Sequence, residues 1–137
     1  MKQTVELKWL EKFAFESEID GHKIAIDMDE SRGGKDKGPR PKPLMLLALG
    51  GCTAIDVISI LNKMRVHIED LNIKVEADLT DEHPKTYSYI KVIYEFKGKD
   101  LPMEKLDKAV KLSEEKYCGV GVFYKRVIRV DSEIRIV

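Results

Sequence analysis

The chain has 137 residues, which is enough for one domain with a substantial core. Its 24 Lys and Arg residues balance 24 Asp and Glu residues, which argues against a general nucleic-acid binder, because such proteins normally carry a basic excess. The amino terminus lacks the apolar stretch of a signal peptide, and no segment reaches the roughly 18 uninterrupted apolar residues of a membrane span. We therefore expect a cytoplasmic protein with neither nucleic acid nor membrane as a partner.

The first 28 residues have the pattern of a three-stranded antiparallel meander. Apolar and polar residues alternate around Trp9, Phe15 and Ile24, which is the period of half-buried strands. Asp20-Gly21, between the second and third segments, is a typical hairpin turn. Residues 29–42 are rich in Gly, Pro and charge, so they predict a long loop.

Residues 43–64 are the longest apolar segment and predict a buried helix, because they are apolar nearly all round at helical period. One narrow stripe is polar. Cys52, Asp56, Ser59 and Lys63 follow one another at steps of four, three and four, so they share a helix face. The thiol at the head of this stripe is a candidate for chemistry, although a free cysteine also commonly serves as a small core residue.

Two further strands, a second helix and a last strand follow. Residues 71–79 and 90–96 alternate strictly and predict an antiparallel pair. A helix begins near Pro102 and carries Cys118 to its carboxyl-terminal end, and residues 128–136 alternate again. The order βββ–α–ββ–α–β indicates the α+β class. The first helix is more apolar than one small sheet can cover, so either two sheets enclose it or a second subunit covers it.

Reactivity at Cys52 requires a thiolate, and the local sequence works against one. Asp56 lies one helical turn away, and a nearby carboxylate disfavours a second negative charge. A cation must therefore enter the site if Cys52 is to attack. Arg32 and Arg40 from the preceding loop are candidates, as is Lys63 further along the helix.

The second thiol suggests that the two cysteines have different chemical roles. One cysteine attacks a peroxide and becomes a sulfenic acid, and the other condenses with it to a disulfide. This chemistry requires that the α-carbons of Cys52 and Cys118 come within about 7 Å. The two cysteines and the three histidines show no ligand spacing, so we expect no metal site and no cofactor. Glu114 is interpreted as solvated helix surface.

Two segments carry a family resemblance. Pro-Leu-Met-Leu-Leu-Ala-Leu-Gly-Gly-Cys-Thr-Ala-Ile-Asp-Val around Cys52 and Ser-Glu-Glu-Lys-Tyr-Cys-Gly-Val around Cys118 resemble the two cysteine motifs of the OsmC/Ohr family. The resemblance implies one OsmC-like domain over residues 1–137, with a meander at 1–28, a loop at 29–42 and a helix–sheet–helix–strand body at 43–137. It also implies an intertwined homodimer, with two central helices packed between antiparallel sheets and sites at the subunit interface.

The same resemblance implies a function. Better-studied members of the family are thiol peroxidases that reduce organic hydroperoxides in oxidative-stress defence and are recycled by dithiol or lipoylated reductants. By position, Cys52 corresponds to the peroxidatic cysteine and Cys118 to the resolving one. Arg32 is the nearest match to the family's loop arginine, Arg40 is the alternative, and Asp56 is expected to shape the site.

One part of the family pattern is missing. Peroxidase members place a glutamate some ten positions before the first cysteine, in an Asn-Pro-Glu segment, whereas Pro41-Lys42-Pro43 stands here. The Cys-Thr-Ala-Ile-Asp form resembles a divergent branch of the family. The alternative is therefore a small-molecule-binding protein without efficient peroxidase activity. Titration of the Cys52 thiol separates the two, because an ordinary pKa near 8.5 supports the binder.

Overall fold

The computed structural model describes residues 1–137, which divide into two compact units, residues 1–45 and 46–137. The amino-terminal unit contains the predicted antiparallel meander of β1 (Lys8–Glu11), β2 (Ala14–Ile19) and β3 (His22–Ile26). Asp20 and Gly21 both have positive φ, 51° and 80°. These are the values that a two-residue hairpin turn of the right twist requires.

The loop after β3 is organised around one buried carboxylate. Asp27 is 2% exposed and accepts hydrogen bonds from the backbone N–H groups of Met28, Lys35 and Lys37, at 2.7, 3.2 and 3.1 Å. Within the loop, Glu30–Arg32 form one 3-10 turn. The predicted long loop is therefore folded back onto its own strand.

The carboxyl-terminal unit combines a three-stranded sheet with helices. Helix α1 spans Pro43–Lys63, α2 spans Met103–Leu112 and α3 spans Gly119–Lys125. The sheet has the order β4-β5-β6, formed by Asp70–Leu79, Tyr87–Lys97 and Arg129–Ile136. The α+β class and the predicted order of the main strands and helices are confirmed.

The core lies where α1 and α2 pack with the central strand β5. Its buried members are Leu49, Val57, Leu61, Val66, Ile90, Val92, Tyr94, Phe96, Leu106, Ala109, Val110 and Cys118. Gly50 lets α1 approach the sheet closely, because a Cβ added there would lie 3.1 Å from Cγ2 of Val75. This contact positions Cys52, two residues further along the helix.

The expectation that both sheets are antiparallel is wrong for the second sheet. Strand β6 pairs in parallel with β5, from Tyr89 opposite Arg129 to Phe96 opposite Ile136. The reason is the connection between them, which contains α2 and α3 and crosses from one end of the sheet to the other. Parallel neighbours need such a long crossover, whereas a short turn joins antiparallel ones.

The prediction that Cys118 lies at the carboxyl-terminal end of α2 is wrong. The α-helix ends at Leu112 and is followed directly by one π-helical turn over Ser113–Tyr117. The backbone N–H of Cys118 closes this turn by donating to the carbonyl of Ser113 at 2.7 Å. Cys118 then caps α3, and its Sγ accepts from the backbone N–H of Gly121 at 3.3 Å. Gly119 and Gly121, which follow Cys118, lie in the first turn of this helix, beside the sulfur.

Helix α1 is only partly covered. Leu47, Ile55 and Ile58 are 68%, 73% and 39% exposed, and they share one face because they lie eight and three positions apart. By length and composition α1 also resembles a membrane-crossing helix, a property that core helices of soluble proteins share. The absence of a membrane partner stays a prediction.

Candidate redox site

Two cysteines and a carboxylate meet between α1 and the start of α3. Cys52 and Asp56 lie one turn apart on α1, as their spacing predicted, and Cys118 comes to them from the far end of the π-helical turn. The two sulfurs and a carboxylate oxygen all lie within 4.8 Å of one another. Both thiols are free.

The two thiols differ in their access to solvent. Cys52 is partly exposed, whereas Cys118 is 1% exposed. Burial, together with a hydrogen bond to Cys52 and the charge of Asp56, raises the pKa of Cys118 to about 11. Cys118 therefore keeps its proton at neutral pH, and a small oxidant meets Cys52 first.

A buried chain of hydroxyl groups leads away from Asp56. Ser113 Oγ donates to Asp56 Oδ2 at 3.0 Å and lies 2.8 Å from Thr53 Oγ1. Thr53 Oγ1 lies 2.8 Å from the Tyr94 hydroxyl, which donates to Glu114 Oε1 at 3.1 Å. The three hydroxyl residues are all buried. Burial raises the pKa of Tyr94 far above its ordinary value, so its hydroxyl stays protonated.

Glu114 forms the outer end of this chain. Its other oxygen accepts from Ser132 Oγ at 3.3 Å and lies 3.9 Å from Lys125 Nζ. The interpretation of Glu114 as solvated helix surface is therefore wrong, because the π-helical turn directs it toward β5 and β6. Sequence reasoning also missed Thr53 and Ser113. The only local signal for Thr53 was its place next to Cys52 on a largely apolar helix.

The two candidate arginines have different surroundings within the amino-terminal unit. Arg40 donates from Nη1 to the carbonyls of Asp27 and Gly38, at 3.2 and 2.9 Å, and pairs through Nη2 with Asp36. Arg32 is exposed at the end of the 3-10 turn, where its backbone N–H donates to Asp29. The guanidinium of Arg40 is thus committed to its own loop. Activation of Cys52 by either arginine stays a prediction.

The same three groups could hold a metal ion. Two thiolates and one carboxylate form a ligand set that Zn²⁺ accepts, with a fourth tetrahedral position left open. Spacing rules do not detect this set, since its members come from two separate elements. The expectation of no metal site stays a prediction.

An apolar groove of about 380 Å³ runs between α1 and β4, and it is lined by Leu46, Leu47, Gly50, Gly51, Ala54, Ile73 and Val75. The groove lies on the same helix as Cys52 and continues into the exposed apolar face of α1. An apolar molecule or a second copy of the chain fits such a surface.

Comparisons with known proteins agree with this fold. A family model described as OsmC-like protein matches residues 34–133. Protein YhfA of Escherichia coli K12 is 34% identical over 132 residues, 96% of each chain. The crystal structure of a hypothetical protein from Aquifex aeolicus VF5 has a TM-score of 0.83 at 31% identity, covering 100% of this chain and 98% of that one. The organic hydroperoxide resistance protein OhrB of Bacillus subtilis has a TM-score of 0.64 at 17% identity, covering 98% of each chain, and so shares the fold.

Proposed function

Because this chain belongs to the OsmC-like protein family, we propose that it is a cysteine-dependent peroxidase that reduces organic hydroperoxides. The observation that carries the proposal is the meeting of one accessible and one buried thiol, with sulfurs within 4.8 Å. The name of the Bacillus subtilis structural relative, an organic hydroperoxide resistance protein, supports the same class of substrate.

In the first step, Cys52 attacks the hydroperoxide. Its thiolate sulfur forms a bond with the outer peroxide oxygen, the O–O bond breaks, and the departing alkoxide takes a proton to become an alcohol. Cys52 is left as a sulfenic acid. The partial exposure of Cys52 allows the substrate to reach it, and the apolar groove beside its helix favours an organic substituent over hydrogen peroxide.

In the second step, Cys118 resolves the sulfenic acid. The sulfur of Cys118 attacks the sulfur of Cys52, the S–O bond breaks, and water leaves as the disulfide forms. A dithiol or lipoylated reductant then returns both cysteines to thiols. We place this cycle in the cytoplasm, because a reducing compartment regenerates the thiols and disulfides there are typically transient and catalytic.

Arg32 is the better candidate for the cation that activates Cys52. The guanidinium of Arg40 is occupied by two carbonyls and Asp36, whereas Arg32 stands exposed on the loop. A positive charge brought near Cys52 would offset the effect of Asp56 and favour the thiolate.

A homodimer is the expected working form. Leu47, Ile55 and Ile58 expose an apolar face on the helix that carries Cys52. Exposed apolar faces of this kind are typical of interaction surfaces. A second copy would bury this face and narrow the opening to the reactive thiol.

The test is consumption of cumene hydroperoxide with dihydrolipoamide as the reductant. Cys52→Ser is expected to abolish turnover, and Cys118→Ser is expected to stop after one equivalent with a sulfenic acid that dimedone traps. Arg32→Gln is expected to slow the first step about 100-fold, and more than Arg40→Gln does. Ser59→Ala, on the exposed side of α1, serves as the control. Full activity in Cys52→Ser would refute the proposal.

The second candidate is a small-molecule-binding protein whose cysteines stay reduced. The apolar groove and the Pro41-Lys42-Pro43 segment, in place of the family glutamate, favour it. Titration of Cys52 by thiol labelling against pH distinguishes the two functions. An ordinary thiol pKa near 8.5, together with absent peroxide consumption, would support binding alone.

A further inference from the structure

The buried chain between Asp56 and Glu114 contains more contacts than it has hydrogen atoms. Four contacts of 2.8 to 3.1 Å join two carboxylates through the hydroxyls of Ser113, Thr53 and Tyr94. All four distances are in the range of hydrogen bonds. Three hydroxyl groups supply only three hydrogens, and a carboxylate supplies none.

One added proton completes the chain. If Asp56 holds it, every donor points toward Glu114, and if Glu114 holds it, every donor points toward Asp56. With both carboxylates ionised and accepting from Ser113 and Tyr94, the hydrogen of Thr53 serves only one of its two contacts. The other contact joins lone pairs of two buried hydroxyl oxygens, which is costly. The chain of hydroxyl groups therefore has a place for one added proton, and its hydrogen bonds can point in either of two directions.

We propose that Asp56 is the base that takes the proton of the Cys118 thiol, and that Ser113, Thr53 and Tyr94 relay this proton to Glu114. The inference rests on the proposed function, in which Cys118 must attack Cys52. Asp56 lies within 4.8 Å of both sulfurs, a separation that one water molecule or a small side-chain rotation closes. Asp56 is the carboxylate nearest the two sulfurs, and the other four residues position it.

The step balances without an outside reactant. Asp56 takes the proton from Cys118, and the freed electron pair on that sulfur forms the bond to the Cys52 sulfur. The S–O bond of the sulfenic acid breaks, and its electron pair leaves with the oxygen as hydroxide. The hydroxide takes a proton from solvent and departs as water, which balances the Cys118 proton that the hydroxyl groups deliver through Glu114 to solvent.

The ionisable surroundings of the chain are few at both ends. At the inner end, Cys52 and Cys118 face Asp56. At the outer end, Lys125 from α3 faces Glu114, and its positive charge favours the ionised carboxylate there. In this arrangement a proton that reaches Glu114 is released to solvent more readily than it is kept.

The test measures the rate at which Cys118 attacks a disulfide at Cys52, with no peroxide present. In Ellman's reagent, Cys52 displaces one thionitrobenzoate, and Cys118 then displaces the second as it closes the disulfide, so two coloured phases appear. Asp56→Asn and Thr53→Val are expected to slow the second phase about 100-fold. The first phase is not slowed in either variant, and in Asp56→Asn it is expected to be faster, because the Asp56 carboxylate disfavours the Cys52 thiolate. Thr53→Ser keeps the hydroxyl and is expected to retain the parent rate, and Ser59→Ala is the control.

A pH profile separates a base from a merely structural residue. In Asp56→Asn, only free Cys118 thiolate attacks, so the second phase should rise about tenfold per pH unit below the pKa of this thiol, which burial keeps above its ordinary value. The parent should show a much shallower rise. Circular dichroism establishes whether each variant is folded. If Thr53→Val does not fold, the comparison of Asp56→Asn with the parent provides the test.

The outcomes distinguish this inference from the proposed function. Equal second phases in the parent, Asp56→Asn and Thr53→Val would overturn the inference, as would release of only one thionitrobenzoate by the parent at every pH. Two normal phases and the predicted effects of the variants, without consumption of cumene hydroperoxide, would refute the peroxidase and leave the relay supported.

Discussion

The Sγ of Cys118 accepts a hydrogen bond from Gly121 and is sealed from solvent, whereas Cys52 reaches the surface from the middle of α1. Reactivity of a cysteine follows its thiolate fraction and its access. The burial and raised pKa of Cys118 support the proposal that Cys52 attacks first. The proton on Cys118 must be removed at the moment that it attacks, which is why the neighbouring carboxylate of Asp56 matters.

Burial of Cys118 also predicts a change of stability at high pH. Its folded-state pKa of about 11 lies above the unfolded value near 9, so the unfolded chain loses this proton first. The contribution of the protonated Cys118 thiol to stability is fully present below about pH 9 and is lost as the pH rises toward 11. Between about pH 8.5 and about pH 10.5, the free energy of unfolding measured in urea should fall further in the parent than in Cys118→Ala. Equal losses would contradict the prediction.

At the scale of elements, the π-helical turn determines the geometry of the site. It directs Ser113 inward to Asp56 and Thr53, turns Glu114 toward Tyr94, and delivers Cys118 to the start of α3. A regular α-helix through the same residues would turn these side chains to other faces, because the rotation per residue in an α-helix differs from that in a π-helix. Turns of this kind frequently occur at functional sites.

The close approach of α1 to the sheet predicts a cost for a larger residue at Gly50. A Cβ there would meet Cγ2 of Val75 at 3.1 Å and that of Ile73 at 3.7 Å. Gly50→Val should lower the free energy of unfolding by about 1–3 kcal/mol, because the added methyl groups overpack the contact. Gly119→Ala is the control, since nothing lies within 4 Å of its Cβ position. Urea unfolding compares the two, and equal stabilities would count against the prediction.

The loop that carries the arginines depends on Asp27. Although burial alone would raise the pKa of Asp27, backbone N–H donors from Lys37, Met28 and Lys35 lower it below the ordinary 3.8. This contribution to stability is present above about pH 4 and is lost as the pH falls through the lowered value. Asp27→Asn should therefore unfold with a weaker dependence on acid pH, measured by thermal melting between about pH 5 and about pH 2. Identical acid profiles for the variant and the parent would argue against this role.

At the scale of the whole molecule, α1 has more apolar surface than one chain covers. Ile55 is 73% exposed at the centre of that face. If a second copy covers it, Ile55→Glu should convert the dimer to monomer, because a carboxylate would be buried without a partner. Size-exclusion chromatography with light scattering measures the mass. Lys99→Glu provides a charge-changing control, and a monomeric parent would overturn the homodimer.

Much of this protein was predictable because secondary structure follows from residues close together in the chain. Alternation around Ile73 and Ile90 identified β4 and β5, and helical spacing placed Cys52 and Asp56 on one face. The paired cysteine motifs identified the family and hence the α+β fold. Each of these inferences uses only the period of a helix or strand, or a short motif.

The site itself depended on packing between distant parts of the chain. Thr53 meets Tyr94 and Ser113 across 41 and 60 positions, and no local period encodes such contacts. The parallel pairing of β6 and the place of Cys118 before α3 also follow from how the crossover packs on the sheet. Side chains that meet through tertiary packing are fixed by the whole core at once, so the hydroxyl chain became visible only in three dimensions.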